Sequence, residues 1–162
     1  MKVAIVMGSR SDLPIMEESA VILKQFGVPF EMHVLSAHRS PDELAHFSKT
    51  ARDDGFCVII AGAGMAAHLP GVIASNTSVP VIGVPIDASS LGGIDALLAM
   101  VQMPPGVPVA TVGIGKAGAK NAALLAVQIL AGSNIALQEK LENYRDDMKR
   151  TVLQADREIK TP

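Results

Sequence analysis

The sequence predicts an α/β protein in which helices cover both faces of a parallel sheet. Short uncharged runs rich in Val, Ile and Ala recur along the chain, and segments with apolar residues at helical spacing separate them. Strands that are buried on both faces read as continuous apolar runs of this kind. Three of these runs lead straight into loops of small and polar residues, and ligands bind at such strand ends in open α/β sheets.

Strands and helices are expected to alternate along the chain. The apolar runs predict strands at about 3–7, 30–35, 57–61, 80–85 and 108–113. The helical patterns predict helices at about 13–26, 41 onward, 90–102, 118–131 and 134–158. Gly27 is a typical helix end. Ser40, Pro41 and Glu43 predict a capping box with proline as the first helical residue.

Composition and length limit the class of protein. At 162 residues, the whole chain is expected to be one domain, with a C-terminal helical arm from about 134 to 160. The net charge of −2 gives no reason to expect nucleic acid or a membrane as a partner. Cys57 lies within an apolar run and is expected in the core. Because no signal peptide is recognised, a reducing cytoplasm is the expected compartment.

The middle of the chain carries almost no charge. Between Phe56 and Gly115, the only charged residues are Asp87 and Asp95. Prolines interrupt this stretch, so it is not expected to span a membrane. A stretch of this composition cannot form much solvated surface, and we therefore predict an obligate homo-oligomer that covers it.

Three loops at strand ends carry the candidate functional residues. We call them the first, second and third site loops, and they are Gly8-Ser9-Arg10-Ser11-Asp12, Ser36-Ala37-His38-Arg39 and Gly62-Ala63-Gly64-Met65-Ala66-Ala67-His68-Leu69-Pro70-Gly71. On its own, the first loop is best interpreted as a turn and helix cap. It could also form an anion nest at Gly8 and Ser9, with Asp12 free to bond a sugar diol.

His38 is the best candidate for a general acid/base. It lies at a strand end beside Arg39, immediately before a helix N-terminus that favours anions. Arg39 is either a surface charge or a phosphate clamp. His68 has similar surroundings, whereas His33 and His46 are interpreted as structural or surface residues. These features predict a phosphate-bearing ligand and proton transfer at His38.

Cofactor and covalent chemistry are not expected. The pattern Gly62-x-Gly64-x-x-Ala67 is close to a dinucleotide fingerprint, but Pro70-Gly71 should obstruct the long helix that the fingerprint requires. A second pattern, from Gly113 to Gly118, lacks the following acidic strand and fails the P-loop test. No residues show metal-ligand spacing, and there is no nucleophile elbow.

Several motifs, in order along nearly the whole chain, resemble one enzyme family. They are the first site loop, Ser36 to Asp42, Ala61 to Gly71, Val101-Gln102-Met103-Pro104 and Gly115 to Ala122. The chain resembles the N5-carboxyaminoimidazole ribonucleotide mutase family (class I PurE), once called phosphoribosylaminoimidazole carboxylase. The resemblance implies a flavodoxin-like three-layer α/β/α sandwich, assembled as a homo-octamer with shared active sites, and an isomerase of purine (IMP) biosynthesis that needs no cofactor.

The resemblance also implies roles for individual residues. His38 matches the general acid/base, Ser9, Asp12 and Arg39 match phosphoribosyl-binding positions, and the third site loop matches the part that encloses the carboxylate or CO2. The candidate substrate-binding residues are Gly8, Ser9, Ser11, Asp12, Ser36, Ala37, Arg39, Gly64, Met65, Ala66, Ala67, His68 and Leu69. Met65 replaces a frequent glycine, so its side chain should crowd the site or point away from it.

Two alternatives remain at this stage. The sister class of the same family carboxylates aminoimidazole ribonucleotide directly with CO2, and the loops do not separate the two mechanisms. A non-catalytic nucleotide-binding module on the same kind of scaffold is the other alternative, because fold alone does not determine function.

Overall fold

A computed structural model describes residues 1–160 as a five-stranded parallel sheet with helices on both faces. The strands are β1 (Lys2–Met7), β2 (Phe30–Val34), β3 (Phe56–Gly64), β4 (Val81–Ile86) and β5 (Ala110–Thr111). The helices are α1 (Leu13–Phe26), α2 (Pro41–Thr50), α3 (Leu69–Asn76), α4 (Ile94–Val101), α5 (Gly115–Ala131) and α6 (Ile135–Lys160). A short 3₁₀ turn, Arg10–Asp12, precedes α1.

The strand order is β2-β1-β3-β4-β5, and every neighbouring pair is parallel. This is the order of flavodoxin-like folds, so the expected fold class is confirmed. Strand β2 is added to the sheet on one side of β1, and strands β3, β4 and β5 are then added in turn on the other side. The topological switch point therefore lies between the carboxyl ends of β1 and β3.

The sheet separates two apolar cores because side chains alternate between the faces of each strand. Val3 and Ile5 of β1 pack in the core beneath α1 and α5, whereas Ala4 and Val6 pack in the core beneath α2, α3 and α4. All four side chains are fully buried. The two cores fix the sheet in place, and the site loops extend from its carboxyl edge.

Helix ends match the sequence at α1 but not at α2. Gly27 ends α1 in the left-handed region, with φ of 72°, and its N–H donates to the carbonyls of Leu23 and Lys24. Ser40 is the N-cap of α2 and Pro41 its first residue, as expected, but the predicted capping box is wrong. The Ser40 hydroxyl is already bonded to Ser36, from whose N–H it accepts at 2.9 Å.

The sequence analysis missed helix α3. Pro70-Gly71 was expected to obstruct a long helix at this point, and the helix that forms, Leu69–Asn76, has only eight residues. Pro70 lies in the first turn, where the N–H that proline lacks would have no partner in any case. The fifth strand was predicted too long, since only Ala110 and Thr111 pair with β4 at the edge of the sheet.

Helix α6 is packed along its first half and exposed along its second. Leu137 is buried, the Tyr144 ring lies 5.5 Å from that of Phe26, and the Lys140 ammonium donates to the Phe26 carbonyl at 2.8 Å. Beyond this point the apolar side chains are exposed, and they are Met148, Val152, Leu153 and Ile159. The arm therefore packs against the end of helix α1 in the same chain as far as Tyr144.

The uncharged middle of the chain contributes an exposed apolar patch. This α4 patch consists of Leu91, Ile94, Leu98 and Val101, each more than half exposed. Strands β3 and β4, which belong to the same uncharged stretch, are largely buried. Within residues 1–160, no helix is both long and apolar enough to cross a membrane.

Candidate active site

The three site loops surround one cavity of about 590 Å³ at the switch point between β1 and β3. Its lining is Gly8, Ser9, Ser11, Asp12, Ser36, Ala37, His38, Arg39, Ala63, Gly64, Met65, Ala66, Ala67, His68, Leu69 and Ala88. Every candidate site residue from the sequence lies in this lining. Two further residues line the cavity: Ala63, which lies in the third site loop but was not among the candidate substrate-binding residues, and Ala88, which follows β4.

The first site loop is organised by a capping box. The Ser9 hydroxyl accepts a hydrogen bond from the Ser11 N–H at 3.3 Å, and an Asp12 carboxylate oxygen accepts one from the Ser9 N–H at 3.1 Å. This is the reciprocal pattern that the sequence analysis placed at Ser40. The Ser9 amide, interpreted earlier as part of an anion nest, is therefore bonded to Asp12. The box therefore caps the short 3₁₀ turn Arg10–Asp12, whereas Asp12, the N-cap residue of α1, makes no side-chain bond to that helix.

Asp12 is an acidic group held largely out of water. Its side chain lines the cavity, but only 7% of the residue is exposed. Burial raises the pKa of Asp12, because desolvation disfavours the charged carboxylate. Hydrogen bonds from the Ser9 amide and the Ser11 hydroxyl, and the positive charge of Arg39, oppose this rise only in part. Burial of the ionised carboxylate lowers the free energy of unfolding, and ionisable groups with perturbed pKa values of this kind are typical of functional sites.

The second site loop positions a guanidinium beside the first loop. The Arg39 Nη2 group donates to the Gly8 carbonyl at 2.8 Å, and its backbone N–H donates to the Ser36 hydroxyl at 3.2 Å. A smaller recess of about 220 Å³ adjoins it, lined by Gly8, Ser9, Arg10, Val34, Ser36, Arg39 and Ser40. A cation and several hydroxyl groups around one recess suit an anionic group such as a phosphate.

His38 and His68 contact each other across the cavity. The His38 Nε2 and His68 Nδ1 atoms are 2.7 Å apart, which is hydrogen-bond distance, and the rings are steeply inclined at 71°. His38 belongs to the second site loop and His68 to the third, directly before α3. The fold therefore joins two imidazoles that are thirty residues apart in sequence.

The third site loop has an unusual backbone. Met65 and Ala67 have φ values of 55° and 46°, in the left-handed region that non-glycine residues rarely adopt. Such conformations cost about 1 kcal/mol or more each and cluster at functional sites. Met65 is 60% exposed and lines the cavity.

Gly64 has no room for a side chain. A Cβ atom there would lie 2.6 Å from the Ala88 Cβ and 3.0 Å from the Ile86 carbonyl oxygen. The third site loop is thus packed closely against the residues that follow β4. Among residues 1–160, no group of three or more His, Cys, Asp or Glu side chains is arranged to hold a metal ion.

Comparison with known proteins identifies the family. The model of the family described as AIR carboxylase (aminoimidazole ribonucleotide carboxylase) matches residues 2–151. The chain belongs to the AIR carboxylase family. Its relatives include proteins named N5-carboxyaminoimidazole ribonucleotide mutase from Pyrococcus abyssi, 60% identical over 92% of this chain and 84% of the relative, and from Bacillus subtilis, 52% identical over 97% of each chain.

A solved structure of this family supports the fold assignment. The chain matches PurE of Treponema denticola with a TM-score of 0.89 and 28% identity, covering 98% of each chain. The family membership rests on the sequence comparisons, whereas the position of the cavity at the switch point rests on the structure of this chain.

Proposed function

We propose that the protein is an isomerase of purine (IMP) biosynthesis that acts in the cytoplasm as a single catalytic domain. It converts N5-carboxyaminoimidazole ribonucleotide into 4-carboxyaminoimidazole ribonucleotide by moving the carboxylate from N5 to C4. The observation that carries the proposal is the single cavity in which all three site loops meet. The names of relatives that are 60% and 52% identical support the choice of reaction.

The proposed chemistry is a proton transfer in two directions at one histidine. The N5–carboxylate bond breaks, CO2 is released into the cavity, and His38 donates a proton to N5. C4 of the imidazole then attacks CO2, and His38 accepts the proton that C4 loses. The proton count balances, and the two transfers occur at different times, so one general acid/base is sufficient. The reaction requires no ATP, metal or organic cofactor.

The remaining lining residues are assigned to the two ends of the substrate. Arg39, Ser9 and Ser11 suit the phosphate, and Asp12 suits the ribose hydroxyls. Residues Ala63 to Leu69 of the third site loop, together with Ala88, form a wall of mostly small residues against which a carboxylate or CO2 can lie. Exclusion of water there keeps CO2 available for recapture.

A homo-octamer is proposed as the working form. Both His38 and His68 are exposed in the single chain, so the cavity is open on a side that a neighbouring copy can cover. The α4 patch supplies apolar surface for such a contact, and its residues belong to the uncharged stretch that follows the third site loop.

Replacing Leu98 by glutamate is expected to break the oligomer. Leu98 is 52% exposed on α4, so the charge is tolerated in the isolated chain but is costly in an apolar contact. Size-exclusion chromatography with light scattering should show an octamer for the parent protein and smaller species for Leu98→Glu. Val21→Glu, at an exposed position on α1, is the control. A parent monomer, or an intact Leu98→Glu octamer, would contradict the assignment.

An ATP-free assay tests the proposed reaction. The purified protein receives N5-carboxyaminoimidazole ribonucleotide in one sample, corrected for spontaneous breakdown, and aminoimidazole ribonucleotide with low bicarbonate in another. Efficient formation of 4-carboxyaminoimidazole ribonucleotide only from the first supports the mutase. The description of the matched family as AIR carboxylase favours direct carboxylation as the second candidate, which the second sample detects. Product from neither sample overturns both and favours a binding module.

Replacing Asp12 by asparagine is expected to separate stability from binding. Because burial raises the pKa of Asp12, the ionised carboxylate destabilises the fold at neutral pH. Asp12→Asn should therefore melt at the same or a higher temperature, while the KM for substrate rises about tenfold or more through loss of a charged hydrogen-bond acceptor.

The pH dependence provides the control for Asp12. A raised folded-state pKa means that stability is lost as pH rises from the ordinary aspartate range through the raised value. The advantage of Asp12→Asn should therefore shrink as pH falls below that range, where Asp12 is protonated in both folded and unfolded chains. Lower stability of the variant at neutral pH, with an unchanged KM, would contradict this interpretation.

A further inference from the structure

We propose that His68 is a positioning residue for His38. In the free site, His68 accepts a hydrogen bond from the Nε2–H group of His38, and the substrate replaces His68 as the acceptor when it binds. This inference rests on the proposed function, since it concerns how the general acid/base is prepared. The observation that carries it is the separation of 2.7 Å between His38 Nε2 and His68 Nδ1.

At this distance the two nitrogen atoms must share one proton. Two bare nitrogens would place their lone pairs against each other, and two N–H groups would place their hydrogens against each other. Only a hydrogen bond with one donor and one acceptor fits. The contact therefore couples the tautomers of the two rings, because the protonated nitrogen of one requires a bare nitrogen on the other.

We take His38 as the donor of this hydrogen bond. His68 is the N-cap residue of α3, and its Nδ1 atom faces His38. His38 lies two residues before Ser40, the N-cap of α2, and presents Nε2 to the same contact. A neutral His68 that accepts through Nδ1 leaves the proton on His38 Nε2. That is the tautomer from which the acid can deliver a proton into the cavity.

The two rings are also held by separate elements. His38 extends from the loop after β2, and His68 is fixed at the start of α3 by the short turn that contains the strained residues Met65 and Ala67. The strained backbone thus sets where the His68 ring stands relative to His38. When substrate enters, its N5 atom replaces His68 Nδ1 as the acceptor of the same proton.

Three substitutions at His68 separate positioning from other roles. In asparagine the amide oxygen stands about where Nδ1 of histidine stands, whereas glutamine carries its amide to the position of Nε2, and leucine removes the acceptor. His68→Leu and His68→Gln should lower kcat about 10- to 100-fold, the range typical of residues that orient a functional group. His68→Asn should recover most of that loss. His46→Gln, an exposed histidine on α2, is the matched control.

The tautomer of His38 is the direct readout. Solid-state NMR spectra of protein with ¹⁵N only in histidine distinguish bare from protonated ring nitrogens, and single-site variants assign the four histidines. At about pH 8, where imidazoles are largely neutral, the parent protein and His68→Asn should show His38 protonated at Nε2 alone. His68→Leu should show a mixture of both tautomers.

The outcomes are decisive in each direction. An unchanged His38 spectrum in His68→Leu, or a His38 proton on Nδ1 in the parent protein, overturns the inference. Equal kcat in the asparagine and glutamine variants also overturns it, as does a change in KM alone, which would mark His68 as a substrate contact. Absence of turnover in the parent protein overturns the proposed function, and the spectra then still decide whether the pair shares its proton as described.

Discussion

His38→Asn is expected to lower kcat by about 10³- to 10⁴-fold while substrate still binds. This decrease in kcat is the rate contribution expected of a general acid/base. We expect a value at the upper end of the usual range because one group serves two proton transfers. Asparagine keeps a polar group of similar reach, and the contacts of Arg39 and Asp12 with their loops are made without His38. Dissociation constants from calorimetry should therefore change about threefold or less, which corresponds to less than 1 kcal/mol.

His46→Asn is the matched control for this experiment. His46 is also an exposed histidine, and it lies on α2, which directly follows the second site loop, but it does not line the cavity. Its replacement should leave kcat and KM within about twofold, as expected for a surface site away from the reacting atoms. Turnover of His38→Asn at the parental rate would show that another group moves the proton.

Gly118→Ala is expected to destabilise the fold by about 3 kcal/mol or more, at the upper end of costs for overpacked sites. A Cβ atom at Gly118 would overlap the Gly113 carbonyl oxygen, which is rigid backbone. The first turn of α5 cannot move away easily, because the buried Ser19 hydroxyl of α1 donates to the Ala119 carbonyl at 2.6 Å. Urea unfolding of the variant should show a lower midpoint.

Gly113→Ala tests the same contact from the other side. A Cβ atom at Gly113 would meet nothing closer than the Gly118 Cα, at 4.0 Å. Its replacement should therefore change the free energy of unfolding by about 0.5 kcal/mol or less. Equal stability of the two variants would mean that α5 can shift, and that glycine at position 118 is not required by close packing.

The regular elements were predictable where the local pattern and the tertiary packing agree. The apolar run of β1 and the Gly27 end of α1 gave bounds within one residue. The capping box at Ser40 failed because Ser36, four residues earlier, already occupies the hydroxyl, which a local pattern does not reveal. Helix α3 was not predicted, because Pro70-Gly71 was considered only as an obstacle to a long helix, whereas proline in the first turn is compatible with this short one.

The site was predictable as a set of loops but not as a set of contacts. Parallel strands bring their carboxyl ends to one edge, so the residues after β1, β2 and β3 had to lie near one another. The pairing of His38 with His68 depends on loop geometry and on the start of α3, and no sequence spacing indicates it. Ala88 was not predicted because a small apolar residue carries no chemical signal, although its Cβ leaves no room for a side chain at Gly64.

The most direct test follows the carboxylate carbon itself. N5-carboxyaminoimidazole ribonucleotide with ¹³C in its carboxylate is converted by the oligomeric protein in the presence of excess unlabelled bicarbonate, with a correction for spontaneous breakdown. Transfer within a closed cavity predicts that 4-carboxyaminoimidazole ribonucleotide retains nearly all of the label. Product that carries the isotopic composition of the bicarbonate would contradict the mutase, and it would show that the cavity takes CO2 from solution.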